Sequence, residues 1–405
     1  MSEQLTRSET RVQGFSDGEL DFQLLRQLGS ASYGGASVGE GLSAAARIRD
    51  LGVKSWPDVF ASLGDRQQQD GEQRAASGHT RSAHDLFLTA SNSYRAAEYF
   101  APIEDPRHTK LGLHSRDAFR AAMQLSEWSF EPLEIVVDDQ RLSGYWLASQ
   151  QPRDGRVLLA VSGFDGTLEE TYLQVGLAGL QRGWPVMLIS GHGQMDTLRL
   201  NPQTHFVPDT ERWISPWVDL AVNRAGVEPS RLALLGLSFG GYFALRATAV
   251  DNRVAAVVAN SPVVDLRAYM TSFVGFDPEQ ILTADDDFGL ADIDTIPDEE
   301  MPPTQKEMAR GLIRRFGQPS FRRTFTYLRE FHVDAGKIRC PGLAMVGEGE
   351  GPEPLQQFEL FARTAAGPVT KRIFTADEGA DSHCQLGNLS LSAAVVFDWL
   401  DETLS

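Results

Sequence analysis

The chain has 405 residues, of which 42% are hydrophobic and 23% are charged. These proportions are ordinary for globular proteins and exclude a disordered or collagen-like chain. The length predicts two or three structural units, or one elaborated α/β domain. The formal net charge of −18 disfavours nucleic acid or an anionic membrane surface as the main partner, because both attract clustered positive charge. No apolar run approaches the roughly 18–20 residues of a membrane helix, so we expect no membrane partner.

Cysteine content and the first residues favour a reducing cytoplasm. Cys340 and Cys384 are the two cysteines of the sequence, too few for a disulfide framework or a four-thiolate metal site. The first residues show no apolar stretch of the kind that a secretory signal carries. Paired C-x-x-C, H-E-x-x-H and P-loop motifs do not occur. We therefore expect a cytoplasmic protein that uses no metal ion and no cofactor.

Residues 1–130 are polar and predict an N-terminal helical domain. Apolar residues recur at helical spacing near residues 19–28, 38–48, 56–63 and 83–100. We expect these helices to precede the sheet of the protein.

The pattern changes near residue 131, where short apolar runs begin to alternate with helical segments. A hairpin is predicted over residues 133–137 and 142–148. Six further strands are predicted at 157–161, 186–189, 232–237, 254–259, 343–346 and 371–374. Such runs, bounded by turn residues, are typical of parallel strands that helices cover on both faces. Residues 131–265 and 341–405 therefore predict a mostly parallel, doubly wound α/β sheet with an antiparallel start.

Residues 266–340 lie between two predicted strands and predict a helical cap or lid. The stretch 268–305 contains ten acidic residues and no Lys or Arg, whereas the residues from Lys306 onward are rich in arginine. This division of charge indicates either solvated surfaces or a lid whose two halves pair with each other or with a partner subunit.

A G-x-S-x-G motif lies between a predicted strand and a predicted helix, with Ser238 at its centre and Gly236 and Gly240 on either side. In this context the motif forms a sharp turn that presents the serine as a nucleophile. The N-terminus of the following helix favours developing negative charge. We predict Ser238 as the nucleophile and the backbone N–H of Phe239 as one oxyanion donor. The alternative is a glycine-rich packing turn with an idle serine.

The base and the acid are predicted from the chain order serine, acid, histidine that this motif requires. His383 follows the last predicted strand and precedes a C-terminal helix, which makes it the predicted base. Glu350 lies in the loop after the preceding strand, where a carboxylate can orient and stabilise the imidazolium. Glu348 and Asp265 are the alternative acids, the first in the same loop and the second after an earlier strand.

Two glycine-containing turns are expected to shape the pocket. The loop after the strand at 157–161 should supply the second oxyanion donor, the N–H of Phe164, and Asp165 is expected to face the pocket. His192 lies in a Gly-His-Gly turn after the strand at 186–189, and we expect it in the pocket wall.

These motifs resemble those of an α/β-hydrolase group. Its better-known branches are 2,6-dihydroxypseudooxynicotine hydrolase, the fungal polyketide-shortening hydrolases and the fermentation–respiration switch proteins. The resemblance extends over residues 93–100, 116–122, 163–166, the Gly-x-Gly-Gln turn at 191–194, and 236–242. The acid of the group is usually aspartate rather than the glutamate at position 350. His192 replaces its common proline.

The resemblance implies an α/β-hydrolase fold in which the N-terminal helices and the cap cover the active site, and frequently a homodimer. It also implies hydrolysis of a C–C bond next to a carbonyl, in a diketone-like, polyketide or acyl-aromatic substrate. A carboxylesterase or an acyltransferase or cyclase would use the same triad. A non-catalytic ligand-binding or regulatory protein is a further alternative, for which the acidic stretch 277–300 is the one supporting feature.

Overall fold

The structure, a computed structural model, describes Arg7, Ser8 and residues 10–149, 154–274, 282–283 and 288–405. Much of the acidic stretch expected in the cap, at 275–281 and 284–287, lies outside the described residues. Over the described ranges, none of the helices has the length and apolar character needed to cross a membrane.

Before the sheet, the described residues form five α-helices. They are α1 (Gly18–Gly29), α2 (Val38–Leu51), α3 (Trp56–Ala76), α4 (Thr80–Tyr99) and α5 (Pro106–Gln124). The prediction for α3 ended too early and α5 was not predicted as a helix. The second half of α3 lacks an apolar stripe, because Gly71 lies against the ring of Phe87 on α4, where a Cβ would come within 2.7 Å. At this position α3 packs against α4 through the glycine backbone rather than through an apolar side chain.

Eight strands form one sheet in the described part of the chain. They are β1 (Ser129–Val137), β2 (Gln140–Ala148), β3 (Val157–Val161), β4 (Val186–Ile189), β5 (Leu232–Leu237), β6 (Ala256–Asn260), β7 (Gly342–Gly347) and β8 (Val369–Phe374). Their order is β1-β2-β4-β3-β5-β6-β7-β8. The pairs β1–β2 and β2–β4 are antiparallel and all other pairs are parallel. This confirms the predicted doubly wound sheet with an antiparallel start.

Helices cover both faces of the sheet. After β3 the chain forms α6 (Leu168–Thr171), α7 (Leu177–Gln181), α8 (Met195–Leu200), α9 (Glu211–Val222), α10 (Gly240–Thr248), α11 (Leu266–Val274), α12 (Leu290–Thr295), α13 (Pro303–Arg315), α14 (Phe321–Tyr327), α15 (Pro352–Thr364) and α16 (Leu389–Thr403). Alternate strand residues enter different cores, as Leu234 and Leu235 do on β5. Both faces are therefore apolar, which explains the continuous apolar runs of the sequence.

Helices α11 to α14 belong to the segment between β6 and β7, where the sequence predicted a cap. The basic half of this segment pairs with its acidic half at two places: Lys306 Nζ lies 2.7 Å from Asp298, and Arg310 contacts Asp294. Arg314 contacts Glu104 in the N-terminal part of the chain. The two halves of this segment therefore pair with each other at these two places, while its role as a lid stays a prediction. Each partly exposed pair contributes little stability, because solvent screens the charges.

A buried ionic cluster joins the N-terminal helices to the α/β layers. Arg199 on α8 donates through Nε to Glu98 on α4 at 2.8 Å, and Nη1 lies 3.1 Å from Glu169 and 3.2 Å from Asp196. All four residues are at most 6% exposed. Burial, together with the neighbouring Glu169, raises the pKa of Asp196 to about 8. At neutral pH a proton on Asp196 therefore reduces the excess of negative charge around one arginine.

Replacing Arg199 by methionine should strongly destabilise the protein, because it leaves buried carboxylates without their cation. We expect the free energy of unfolding in urea to fall by about 3–5 kcal/mol. Arg66→Met is the matched control, since Arg66 pairs with Glu40 at the surface and should change it by less than about 1 kcal/mol. Equal losses in the two variants would contradict a structural role for the cluster.

Candidate active site

The G-x-S-x-G motif forms a tight turn between β5 and α10. Ser238 has a φ of +58°, in the left-handed region that non-glycine residues rarely adopt. The turn is possible because its neighbours lack side chains: a Cβ on Gly236 would lie 1.9 Å from the carbonyl oxygen of Gly240. The N–H of Ser238 donates to the carbonyl of Asn260 on β6 at 2.5 Å. The serine side chain is thus held at the carboxyl end of the central strands.

His383 connects Ser238 to Glu350. Its Nε2 lies 2.8 Å from Ser238 Oγ, and its Nδ1 lies 2.5 Å from Glu350 Oε2. The glutamate is fixed by two donors, the Gly347 N–H at 2.8 Å and the Ser261 hydroxyl at 2.7 Å. This is the geometry that a Ser-His-acid triad requires, with the acid holding the imidazole so that its other nitrogen faces the nucleophile.

The two alternative acids lie elsewhere. Glu348 is exposed and accepts a hydrogen bond from the Ala376 N–H at 2.6 Å. Asp265 is also exposed and accepts from the Ala268 N–H at 3.0 Å, near the start of α11. Among the described contacts, neither carboxylate reaches His383, so the geometry favours Glu350.

The environment of His383 stabilises its charged form. Burial by itself lowers the pKa of the imidazole, but the adjacent Cys384 and the Glu350 carboxylate raise it, and the net direction is upward. The Cys384 thiol donates to the Asn260 carbonyl at 3.4 Å. The Glu350 carboxylate, which contacts Nδ1 directly, is thus placed to stabilise a protonated His383.

The two predicted oxyanion donors border the cavity beside Ser238, which Phe164 and Phe239 both line. The loop after β3 approaches closely because Gly163 has no side chain: a Cβ there would lie 2.7 Å from the Phe239 nitrogen and from Ser238 Cβ. Within the described ranges, the N–H groups of Phe164 and Phe239 have no hydrogen-bond acceptor. Both donors are thus available to a ligand.

Gln194 supports the loop after β3, residues 162–166, which we call the oxyanion loop because the donor predicted at Phe164 lies on it. Gln194 was not predicted as a site residue. Its side chain is fully buried. Nε2 donates to the Ser162 carbonyl at 2.8 Å and lies 3.3 Å from the Gly163 carbonyl, while Oε1 accepts from the Gly191 N–H at 2.7 Å. The Gly-x-Gly-Gln turn was the available signal, but the sequence could not show which loop its glutamine would contact.

Arg315, at the end of α13, ties the cap to the same loop. Its Nη2 donates to the Phe164 carbonyl at 2.6 Å and its Nε to the Gly193 carbonyl at 2.8 Å. The guanidinium also lies over the rings of Phe164 and Phe206, 4.9 Å and 4.8 Å from their centroids. Burial lowers the pKa of Arg315 to about 10, which keeps it protonated at neutral pH. A buried positive charge thus lies beside the oxyanion loop.

The cavity beside Ser238 is mainly apolar and leaves about 90 Å³ for the centres of water-sized molecules. Its apolar walls are Phe22, Leu237, Met270, Met308, Leu312 and Leu386. Asp165 also lines it, as predicted, and lies 3.4 Å from Arg26. Burial would raise the pKa of Asp165, but nearby Arg26 and Arg7 outweigh it and hold the pKa below its usual range. Among the described residues, no group of His, Cys, Asp and Glu side chains is arranged to hold a metal ion.

The segment that begins at Arg7 covers the loop of His383. The His383 N–H donates to the Arg7 carbonyl at 2.9 Å. The Asp381 carboxylate accepts from the Thr10 N–H at 3.1 Å and from the Ser8 hydroxyl at 3.3 Å. The sequence did not predict this contact, because no local pattern shows that a segment near residue 10 packs against a loop near residue 383.

His192 does not lie in the cavity wall, so its predicted place in the pocket is corrected. Its Nε2 is 3.6 Å from Asp138 in the β1–β2 turn. The flanking glycines face the interior instead: a Cβ on Gly191 would meet the ring of Trp213 at 2.4 Å. Burial lowers the pKa of His192, which keeps the ring neutral.

Several relatives of this chain carry the names of hydrolases. The profile of the prolyl oligopeptidase family matches residues 212–287, which include the turn at Ser238. Hydrolyase poxO of Penicillium oxalicum is 32% identical over 274 residues, 64% of this chain and 64% of that protein. The 20-hydroxy-prefusarin hydrolase of Gibberella moniliformis is 33% identical over 263 residues, 62% of each chain. The aligned part thus spans slightly less than two thirds of these relatives.

A solved structure shares the fold along nearly the whole chain. The 2,6-dihydroxy-pseudo-oxynicotine hydrolase superposes with a TM-score of 0.72 at 20% identity, covering 93% of this chain and 95% of its own. Coverage of this extent includes the N-terminal helices and the cap as well as the sheet.

Replacing Arg315 by methionine should lower kcat and leave KM nearly unchanged, because the oxyanion loop loses the donor that holds the Phe164 carbonyl and a neighbouring positive charge. We expect kcat to fall by about 10- to 100-fold. This decrease is at most as large as the decrease in kcat that follows the loss of one oxyanion donor. Steady-state kinetics on an aryl ester would measure this. Arg315→Lys keeps the charge and should recover part of the rate.

Arg314→Met is the matched control, since Arg314 is the preceding residue of α13 and contacts the exposed Glu104. It should leave kcat within about twofold, as surface pairs contribute little. The proposed role of Arg315 is wrong if both variants behave alike.

Proposed function

We propose that this chain, a member of the α/β-hydrolase superfamily, is a serine hydrolase that cleaves a C–C bond adjacent to a carbonyl through an acyl-enzyme. The observation that carries the proposal is the hydrogen-bonded series from Ser238 through His383 to Glu350, at the edge of a mainly apolar cavity. The named hydrolases among its relatives support the same class of reaction.

The first half of the reaction forms the acyl-enzyme. His383 Nε2 removes the proton of Ser238 as Oγ attacks the substrate carbonyl, and Glu350 stabilises the resulting imidazolium. The N–H groups of Phe164 and Phe239 donate to the oxyanion. Collapse of this intermediate breaks the C–C bond, and the leaving carbanion, stabilised as an enolate, takes the proton from His383.

The second half returns the enzyme to its starting state. His383 removes a proton from water, which attacks the acyl carbonyl, and Ser238 leaves with the proton from the imidazolium. Each step uses the same two oxyanion donors. The choice of a C–C bond rests on the resemblance in the N-terminal helices and the Gly-x-Gly-Gln turn. An ester substrate would use the same residues and release an alkoxide instead of an enolate.

Ser238→Ala should abolish both turnover and covalent labelling, because it removes the attacking oxygen. We expect wild-type protein to form a fluorophosphonate adduct on Ser238 and to have a higher kcat/KM for an aryl 1,3-diketone than for a matched aryl ester. An adduct that persists in the alanine variant would contradict the assignment of the nucleophile. A clear preference for the ester would make carboxylesterase or acyltransferase the better conclusion.

The pH dependence of kcat/KM should report His383. The base acts only when neutral, and its pKa is raised, so kcat/KM should increase with pH through a midpoint above the ordinary value of about 6.5. Glu350→Gln removes the carboxylate that stabilises the imidazolium and should lower both kcat and this midpoint. Glu348→Gln is the control and should leave the midpoint unchanged. A midpoint that moves in the Glu348 variant but not in the Glu350 variant would show that the acid is misassigned.

A further inference from the structure

Two more cavities continue from the one at Ser238, which we call the inner cavity. The middle cavity shares four wall residues with the inner one: Arg7, Phe164, Asp165 and Met308. The outer cavity shares four others with the middle one: Phe100, Ala101, Thr304 and Glu307. The three spaces therefore adjoin one another in the order inner, middle, outer.

The middle and outer cavities lie between the N-terminal helices and the cap. On one side are residues at the end of α4 and the loop that follows, including Phe100 and Ala101. On the other side is α13, which contributes Thr304, Glu307 and Met308. The N-terminal helices and α13 thus form much of this space, and the loop after β3 completes the middle cavity at Phe164 and Asp165.

The inner cavity alone is small. Its volume of about 90 Å³ equals that of the middle cavity, whereas the outer cavity leaves about 360 Å³. At roughly 10–15 Å³ for each water centre, the inner space holds about six to nine water-sized groups. A substrate with atoms well beyond the reacting carbonyl must therefore extend into another space, and the middle cavity adjoins the oxyanion loop at Phe164.

The middle cavity is more polar than the inner one, but its acidic side chains have partners and the donors of Arg315 are held by main-chain carbonyls. Tyr99 donates to Glu19 at 2.7 Å, and Arg7 lies 3.8 Å from the same carboxylate. Glu307 contacts Arg310. Burial lowers the pKa of His108, so its ring is neutral at physiological pH. Such walls favour neutral hydroxyl or carbonyl groups over a ligand that carries a net charge.

We propose that the middle and outer cavities form a distal subsite for an elongated acyl group, with an apolar segment at Ser238 and hydroxyl or carbonyl groups farther along the chain. The proposal rests on the serine hydrolase function proposed above and adds the shape and polarity of the substrate. Met308 lies at the junction of the inner and middle cavities and determines how easily the chain passes between them.

Gly311→Phe tests the subsite without altering the catalytic residues. Gly311 lines the middle cavity but not the inner one. A Cβ there meets no atom closer than Phe164 Cε1 at 3.9 Å, and a residue other than glycine favours helix α13. The probes are the p-nitrophenyl esters of acetic, octanoic and ω-hydroxyoctanoic acid, each with Ser238→Ala as the blank.

Wild-type protein should have its highest kcat/KM for the ω-hydroxyoctanoyl ester. In Gly311→Phe this value should fall by about tenfold or more, whereas that for the acetyl ester should stay within about twofold. Gly311→Leu should give a smaller decrease in kcat/KM for the ω-hydroxyoctanoyl ester. If the phenylalanine variant also loses acetyl hydrolysis, the leucine variant is used for the comparison instead. Gly39→Phe on α2 is the matched control: no atom lies within 4 Å of its Cβ, and it lines a separate cavity.

The possible failures are distinguishable. Absence of Ser238-dependent hydrolysis of the acetyl ester would overturn the proposed function itself. Normal acetyl hydrolysis with an unchanged ratio of long to short substrates in the Gly311 variants would overturn the distal subsite alone. Equal kcat/KM for the octanoyl and ω-hydroxyoctanoyl esters would overturn its proposed preference for oxygen-bearing chains.

Discussion

The left-handed backbone of Ser238 is the constraint on which the rest of the site depends. A serine in this conformation requires several main-chain segments to pack directly against the turn, and glycines make that contact possible. A Cβ on Gly241 would lie 2.0 Å from the Ser261 carbonyl, and one on Gly347 would lie 2.0 Å from the Asp381 carbonyl. The loops after β5, β6 and β7 and the loop of His383 therefore meet at backbone distance. The side-chain hydrogen bonds that join Ser238, His383 and Glu350 follow from that approach.

The glutamate at position 350 fits this tight arrangement because its longer side chain is held at both carboxylate oxygens. Gly347 donates to one oxygen, and Ser261 donates to the other, which also contacts His383. A flexible acid would lose conformational entropy each time it oriented the imidazole. Here neighbouring loops supply that orientation in advance, so a glutamate can occupy a position where related hydrolases usually have aspartate.

The outer parts of the chain complete the site through buried polar contacts rather than through the sheet. Arg315 connects the cap to the oxyanion loop, Arg7 connects the N-terminal segment to the loop of His383, and Arg199 joins α4 to the α/β layers. Arg315 and Arg199 act through buried guanidinium groups, whose loss would leave polar groups without partners, whereas Arg7 acts through its main-chain carbonyl. Catalytic geometry and the docking of the helical parts are therefore coupled, and the same docking creates the cavities beyond Ser238.

The sequence by itself determined the doubly wound sheet, the turn at Ser238 and the position of His383, because these depend on local patterns: apolar runs buried on both faces, and glycines beside a strained serine. It left Glu350, Glu348 and Asp265 open, placed His192 in the wrong surroundings and did not identify Gln194, Arg7 or Arg315. Those assignments depend on which loops meet in space. Contacts between residues far apart in the chain have no local pattern, so only the tertiary structure decided them.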